Sequence, residues 1–264
     1  VFMKVLQGAA AVAALAIGVS GASAGVLVGV ASYDQFSTQS LYSIDSATGA
    51  ATLIGDTGVR QIVGIAWSGS TLFAYTNGAD LYTIDISTGA ATLLGDNFGV
   101  VPESDLAFDP AGALWSVNQG VLGTVNSSNG AFTGVGAIGA AATDISGLVF
   151  VPDANGGQLI GYAHNGVNDD AIVSFDLSTG AASVVISAGL NDASNLGGAD
   201  FDAMSGSTFV MVNDSLYTLD LNAGLSLVGA SGVSGFSGLV VIPAPGAGVL
   251  AVAGLVVASR RRRA

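Results

Sequence analysis

A five-residue motif recurs five times along this chain, at intervals of 40 to 50 residues. Each copy begins with Asp or Asn and ends with Gly. The first residues of the copies are Asp45, Asp85, Asn126, Asp176 and Asp220, and the last residues are Gly49, Gly89, Gly130, Gly180 and Gly224. A period of this length is typical of propeller blades, whereas a stacked solenoid usually repeats every ~20–30 residues.

The residues around each motif predict a β-hairpin. Alternating apolar and polar residues precede the motif, as in 41–44 (LYSI), and a second short run follows it, as in 51–54 (ATLI). Alternation with a period of two on both sides of a Gly-containing turn is typical of a hairpin. In such a turn the Asp side chain accepts backbone N–H groups and the Gly adopts a positive φ angle. The repeated Asp residues are therefore explained as structural turns, without a catalytic role.

Two further short strands precede each hairpin, so that each repeat predicts four strands. Four antiparallel strands are the content of one propeller blade. The first repeat has only three strands in sequence, at 26–31, 41–44 and 51–54, and its missing inner strand is predicted at 238–242. We therefore predict an all-β fold, a single propeller over residues 25–242 with five four-stranded blades closed by the C-terminal strand. A six-bladed ring is the main alternative.

Composition narrows the function classes open to such a chain. Cys is absent, which excludes disulfides, thiol nucleophiles and cysteine-based zinc sites. Residues 25–259 hold all 19 acidic residues and one of the six cations, Arg60, so this part carries a net charge of −18. A surface this acidic excludes a nucleic-acid-binding protein. Gly is abundant and Lys and Arg are scarce, which disfavours a helical bundle.

The N-terminal residues 1–24 have the pattern of a secretory signal peptide. Lys4 precedes an apolar run at 5–19, and a small-residue cleavage site ends at Ala24. Basic, apolar and small-residue segments in this order define such a peptide. We therefore predict an exported protein whose mature chain begins near Gly25.

The C-terminal residues 243–264 have a different pattern. A proline turn is followed by an apolar run at 247–258 and then by four arginines. The turn residues are Pro243, Ala244, Pro245 and Gly246, and the arginines are Arg260, Arg261, Arg262 and Arg263. The run is shorter than the roughly 20 residues that span a bilayer, and the arginines would stay on the cytoplasmic side. We predict transient membrane contact through this tail. An ordinary transmembrane helix that anchors the chain is the alternative.

Together, the proline turn, the short apolar helix and the arginine cluster resemble the PEP-CTERM sorting signal of bacterial proteins processed by exosortase. The usual Glu between the prolines of that signal is Ala244 here. The resemblance implies tail removal near Pro245, the secretion machinery and exosortase as partners, and a location at the cell surface or outside the cell. Such proteins are often associated with exopolysaccharide or biofilm matrix. The repeat text also resembles uncharacterised secreted bacterial β-propeller repeats, which implies the fold and not the reaction.

The irregular connections predict where a ligand would bind. In a four-stranded blade, the loops between the second and third strands and the loops between blades share one face, here called the loop face. The opposite face carries the five Asp or Asn turns and is here called the turn face. Titratable and charged residues gather in the loop-face connections, namely Arg60, Glu103, His164, Asp169, Asp170 and Asp192. Since binding residues are often carried by variable loops on a rigid scaffold, we predict a ligand site among them, at the mouth of a central channel.

Each of these residues also has a simpler interpretation as a solvated or locally hydrogen-bonded side chain. The two tryptophans, Trp67 and Trp115, are expected to pack within the blades rather than to stack on a sugar.

Calcium is the cofactor that the acidic pairs of the chain would suit best. Asp169 with Asp170, and Asp200 with Asp202, bring carboxylate oxygens close together, as a hard cation requires. No segment has the spacing of an EF-hand loop. Weak cation binding by the acidic surface, without a dedicated site, is therefore the alternative.

Motifs of enzyme chemistry are sparse, since neither an HExxH zinc motif nor a Walker loop is present. The leading interpretation is an exported, non-catalytic binding or structural protein with exopolysaccharide, surface proteins or divalent cations as partners. Two alternatives stay open. One is a calcium-dependent propeller hydrolase or lyase acting on a surface polysaccharide, and the other is a purely structural envelope protein.

Overall fold

The computed structural model describes residues 25–32, 36–97, 104–140, 145–153, 156–163, 171–187 and 196–243. These ranges contain twenty strands in five antiparallel sheets of four strands each. Each sheet is one blade of a propeller. The all-β propeller predicted from the repeat is confirmed, with five blades rather than six.

The strands are numbered in chain order and each blade is given from the axis outward. Blade 1 consists of β20 (Phe236–Ile242), β1 (Val26–Ala31), β2 (Ser40–Ile44) and β3 (Ala51–Asp56). Blade 2 consists of β4 (Ile62–Ser68), β5 (Thr71–Thr76), β6 (Leu81–Ile84) and β7 (Ala91–Gly95). Blade 3 consists of β8 (Ala107–Phe108), β9 (Leu114–Asn118), β10 (Val121–Val125) and β11 (Phe132–Ala137). Blade 4 consists of β12 (Ile145–Val151), β13 (Gln158–Ala163), β14 (Ala171–Phe175) and β15 (Ala182–Ser187). Blade 5 consists of β16 (Leu196–Asp202), β17 (Ser207–Val212), β18 (Ser215–Asp220) and β19 (Gly224–Ala230).

The last strand closes the ring, as the sequence predicts. β20 runs antiparallel to β1, with Ile242 opposite Val26 and Phe236 opposite Ala31. Blade 1 is thus assembled from strands at both ends of the propeller. The core lies between blades, where alternating apolar residues of one sheet face those of the next, as Leu41 of blade 1 packs with Ile65 and Leu72 of blade 2.

The five repeated turns have the geometry that their sequence suggests. The Asp45 carboxylate accepts the backbone N–H groups of Ala47 and Thr48, both at 2.9 Å. Asp85, Asp176 and Asp220 each accept two backbone N–H groups in the same way, and Asn126 accepts that of Ser128. The five closing glycines have φ angles between 76° and 89°. Only Gly adopts this region without strain, which explains why the motif ends in Gly.

A second repeated glycine lets neighbouring blades dock. Gly55 in β3 lies against the carbonyl of Thr88 in the turn of blade 2, so closely that a Cβ atom would collide with it. The same contact joins three further pairs of blades through Gly95, Gly136 and Gly229. Between blades 4 and 5 the equivalent residue, opposite Ile172 in the ladder, is Ile186. The outer-strand glycine is therefore a packing residue of the blade interfaces.

The leader and the tail, residues 1–24 and 244–264, lie outside the described ranges. Within those ranges, no helix is long and apolar enough to cross a membrane.

Candidate functional site

Most of the predicted loop-face residues fall outside the part of the chain that the structure describes. Arg60 is described, and its side chain is exposed in the connection between β3 and β4. The others lie in undescribed connections, namely Glu103, His164, Asp169, Asp170 and Asp192. Their convergence on one ligand therefore stays a prediction.

The two described residues of the calcium hypothesis are engaged with the backbone. The Asp200 carboxylate accepts the N–H of Phe201 at 2.8 Å and that of Val241 at 2.7 Å, which ties blade 5 to blade 1. Asp202 accepts the N–H of Met204 at 2.9 Å. Burial, with a smaller contribution from the nearby charge of Asp202, raises the pKa of Asp200 to about 7. Among the described residues, no three His, Asp or Glu side chains come together as a metal site would require.

The axis of the propeller is lined by glycines in four blades. Gly64, Gly147, Gly198 and Gly238 lie in the inner strands, and each has an atom of another inner segment within 4 Å of where a Cβ would stand. In blade 3 the equivalent position, directly before Leu106, is held by Asp105. The absence of side chains in the other four blades lets the inner strands approach the axis and leaves room for this one carboxylate.

Asp105 fills the axis and binds three other blades. One oxygen of its carboxylate accepts the N–H groups of Leu106 at 2.8 Å and Ile65 at 3.2 Å. The other accepts those of Leu148 and Ala199, both at 3.3 Å. Its side chain is 1% exposed. The axis is closed at this depth, so the site predicted at a channel mouth has no channel beneath it here.

Burial raises the pKa of Asp105 well above its ordinary value, and the four amide donors oppose that rise. A carboxyl group that accepts four backbone hydrogen bonds at the axis has no face open to a substrate. We therefore assign Asp105 a structural role, although a buried carboxyl with a raised pKa often marks a reactive group.

The two tryptophans lie within the blades. Trp115 is 7% exposed and donates its indole N–H to the Asp109 carboxylate at 2.9 Å. Trp67 is partly buried against the core between blades 1 and 2. Neither side chain forms an exposed platform.

An open cleft lies on the loop face. Its volume is about 490 Å³, within the range of small-molecule sites. The connection that follows β1 forms one wall and the connection that precedes β20 forms the other. Residues 33–35, within the first connection, lie outside the described ranges. The hydroxyl-bearing residues of the lining are Ser32, Ser37, Thr38, Ser40, Tyr42 and Ser234, and its remaining residues are small or apolar.

Two buried polar side chains hold the walls of this cleft in place. Gln39 is 3% exposed and donates to the carbonyl of Ile62 at 3.1 Å and to the hydroxyl of Ser237 at 2.6 Å, while its own oxygen accepts the N–H of Ile62. In the opposite wall, the Ser231 hydroxyl donates to the carbonyl of Asp214 at 2.7 Å. The cleft is therefore supported by hydrogen bonds to blade 2, to β20 and to blade 5.

Aromatic rings lie at the floor and beside the rim of the cleft. Tyr42 packs edge-on against Phe236, with ring centroids 5.9 Å apart. Phe36, adjacent in sequence to the lining residue Ser37, is 72% exposed. The lining thus offers neutral donors and acceptors close to an accessible apolar ring. Among the lining residues that the structure describes, none has a carboxylate or imidazole that could serve as a general acid or base.

The cleft lies on the loop face, but none of the residues that the sequence predicts for a ligand site is among its described lining residues. The two walls are almost 200 residues apart in sequence, and they meet only because β20 closes the ring. Serine and threonine in a loop carry no signal of their own. The one detectable clue is the predicted return of the last strand to the first blade.

Comparison with known proteins places the chain in a family of repeats. Residues 7–158, more than half of the 264, match the family described as "Repeat of unknown function (DUF6923)". The chain belongs to this family. The description of DUF6923 names no activity, so membership supports the repeat and assigns no reaction. No curated protein matches this DUF6923 chain significantly.

Solved structures of similar fold are distant. A structural genomics protein of unknown function from Bacteroides thetaiotaomicron VPI-5482 is 15% identical with a TM-score of 0.47, over 67% of this chain and 52% of that one. TolB from Acinetobacter baumannii is 14% identical with a TM-score of 0.48, over 83% and 55%. A putative gluconolactonase is 12% identical with a TM-score of 0.48, over 81% and 83%. This chain thus spans about half the length of the first two, and none of these likenesses bears on its activity.

Proposed function

We propose that this protein is an exported, non-catalytic β-propeller that binds a neutral polysaccharide in the hydroxyl-lined cleft of its loop face. The observation that carries the proposal is the described part of the lining, which consists of six hydroxyl-bearing side chains and three small or apolar residues. Hydroxyl groups both donate and accept hydrogen bonds, which matches the alternating needs of sugar hydroxyls. Phe36 offers a ring face for the apolar side of a sugar.

The charge of the molecule supports a neutral ligand. With a net charge of −18 over residues 25–259, an acidic polymer would be repelled before contact. The described residues of the lining also do not include the pair of carboxylates that glycoside hydrolysis uses. Binding without cleavage is therefore the chemistry that the lining favours.

Export is inferred from the sequence of the two ends. The leader at 1–24 has the pattern of a signal peptide, and the tail at 243–264 resembles a PEP-CTERM sorting signal. Together they support a protein that reaches the cell surface or the surrounding matrix, where it would meet exopolysaccharide.

Co-sedimentation with the exopolymer of the producing cells tests the proposal. The full chain is used in a detergent without a sugar headgroup, and reducing ends are assayed in the supernatant. We expect saturable sedimentation without new reducing ends. Ser234→Trp should fill the cleft and reduce binding by at least about tenfold, a loss typical of removing a central contact.

The matched control is Ser70→Trp, which adds the same side chain to an exposed turn on the opposite face. It should bind as the unmodified chain does. Equal binding by both variants would show that the cleft is not the binding site. New reducing ends would show that the protein hydrolyses the polymer instead of only binding it.

A further inference from the structure

The chain enters and leaves the propeller at the same face. Val26 at the start of β1 lies opposite Ile242 at the end of β20. Leu27 lies opposite Ile44, the residue that precedes the Asp45 turn. Both ends of the described chain are therefore at the turn face.

The cleft lies at the other end of the same strands. Ala31, at the end of β1, is opposite Ser40 in one neighbour and Phe236 in the other. Ala31 and Ser40 both line the cleft. A six-residue strand is about 20 Å long, so this distance separates the cleft from the points where the leader and the tail begin.

The connection from the propeller to the apolar part of the tail is short. Only Ala244, Pro245 and Gly246 separate Pro243 from the run at 247–258. Three extended residues span about 10 Å at most. A bilayer that takes up the apolar run is therefore held beside the turn face and out of reach of the cleft.

We propose that, for as long as the tail is attached, the turn face is the surface of this protein that lies against a lipid bilayer, with the tail as its tether, so that the glycan-binding cleft is directed away from the membrane. The inference rests on the proposed function, because it takes the tail as the membrane-contacting segment of the exported chain. The turn face carries four exposed aspartates, Asp45, Asp85, Asp176 and Asp220. A zwitterionic lipid surface suits it better than an anionic one, because like charges repel within a Debye length, about 8 Å at physiological salt.

Two single-cysteine variants measure this orientation. The chain has no Cys, so an introduced one can be labelled selectively. Ala131 and Ala137 are both exposed and lie at the turn end and the loop end of β11. They form a matched pair about 20 Å apart on one strand. Each full-length variant, Ala131→Cys or Ala137→Cys, is labelled with a donor fluorophore and incorporated into phosphatidylcholine vesicles that contain an acceptor-labelled lipid.

We expect energy transfer to the lipid to be at least about twofold higher from position 131 than from position 137, because the turn end lies about 20 Å closer to the bilayer. Equal transfer from the two positions, or the reverse order, would overturn the proposed orientation. Vesicle flotation is measured on the same samples, and a chain that does not float with the vesicles would also overturn it. Neither result affects the polysaccharide assay, which reports separately on the cleft.

Discussion

Asp105 occupies the position that glycine holds in the inner strands of the other four blades. The inner edge of each inner strand has no further strand to pair with, so its N–H groups point at the axis. One carboxylate placed there satisfies four of them. A buried, unsatisfied backbone group is costly, and this single side chain therefore stabilises several blades at once.

Removal of the axial carboxylate should destabilise the whole ring. Asp105→Ala keeps the Cβ and leaves buried N–H groups of four blades without their acceptor, so we expect a loss of at least ~2 kcal/mol in the free energy of unfolding. Chemical denaturation measures this loss. Asp214→Ala, at an exposed turn, is the control and should change little. Equal effects of the two substitutions would contradict the axial role.

The raised pKa values of the buried carboxyls predict an unusual pH dependence. Burial raises the pKa of Asp200 to about 7 and raises that of Asp105 as well. A raised pKa means that the folded state holds its proton more tightly than the unfolded state. The contribution of these protonated carboxyls to the free energy of unfolding is complete below pH ~4, the pKa of Asp in the unfolded state. It is lost as pH rises through the pKa of each carboxyl in the folded state. We therefore expect the free energy of unfolding to fall between pH 5 and pH 8, and to fall less steeply in Asp200→Asn.

Repulsion among the acidic surface residues also lowers the free energy of unfolding as pH rises. The decisive measurement is therefore the comparison between the unmodified protein and Asp200→Asn. The turn aspartates act oppositely. Backbone hydrogen bonds lower the pKa of Asp45 and Asp220, and hydrogen bonds from the hydroxyl and the backbone of the serine two residues later lower the pKa of Asp85 and Asp176. Their contribution is lost only as pH falls below the usual range of Asp. Identical slopes between pH 5 and pH 8 in the two proteins would rule out titration of Asp200 in this window.

At the scale of the element, the turn and the outer strand carry the repeat. Each turn fixes a hairpin through its Asp or Asn. In four of the five blade interfaces, the carbonyl of the fourth motif residue contacts an outer-strand glycine of the neighbouring blade. The glycine lies ten residues after the first residue of the motif in blades 1, 2 and 3, and nine residues after it in blade 5. The motif and this glycine therefore act together in the contact between blades. This explains why the repeated sequence extends beyond the turn itself.

Two glycines of one outer strand provide a matched test of this docking. In β11, a Cβ at Gly136 would collide with the carbonyl of Thr179, whereas a Cβ at Gly134 would have only a Val121 methyl group at 3.0 Å. Gly136→Ala should cost about 1–3 kcal/mol of stability, the usual range for overpacking. Gly134→Ala should cost distinctly less. Thermal unfolding measures both, and similar melting temperatures would contradict the docking contact.

The strands and turns can be predicted because the sequence patterns that specify them are local. Alternation and turn chemistry locate the strands to within a few residues, and Val26–Ala31 has its predicted bounds. The inner strand of blade 3 covers only Ala107–Phe108, because Asp105 turns to the axis instead of joining the ladder. The axial carboxylate and the cleft could not be predicted, since each depends on contacts between blades that no sequence period records.

At the scale of the whole molecule, closure decides both stability and the site. β20 supplies the inner strand of blade 1, and its carbonyl and amide groups pair with β1 along the length of that strand. The same closure brings together the two walls of the cleft and places both ends of the described chain at the opposite face. One strand therefore links the fold, the proposed site and the proposed orientation.

Two truncations separate the closing strand from the tail. A chain that ends after Pro243 retains every described strand and should melt at the same temperature as the full chain. A chain that ends after Gly235 lacks β20, so the inner strand of blade 1 and its partners in the axis are lost. We expect this second chain to lose its cooperative thermal transition, as followed by near-ultraviolet circular dichroism. A retained cooperative transition would show that closure is dispensable.

The most direct test of the central claim is hydrogen–deuterium exchange of the full chain with and without the exopolymer of the producing cells. Binding in the cleft should slow exchange in peptides that cover 36–42 and 231–236, the two walls brought together by ring closure. Peptides from the turn face, such as 85–91, should exchange at unchanged rates. Protection of both walls together would support a polysaccharide-binding propeller whose site is made by its last strand. Protection confined to the turn face, or none at saturating exopolymer, would contradict it.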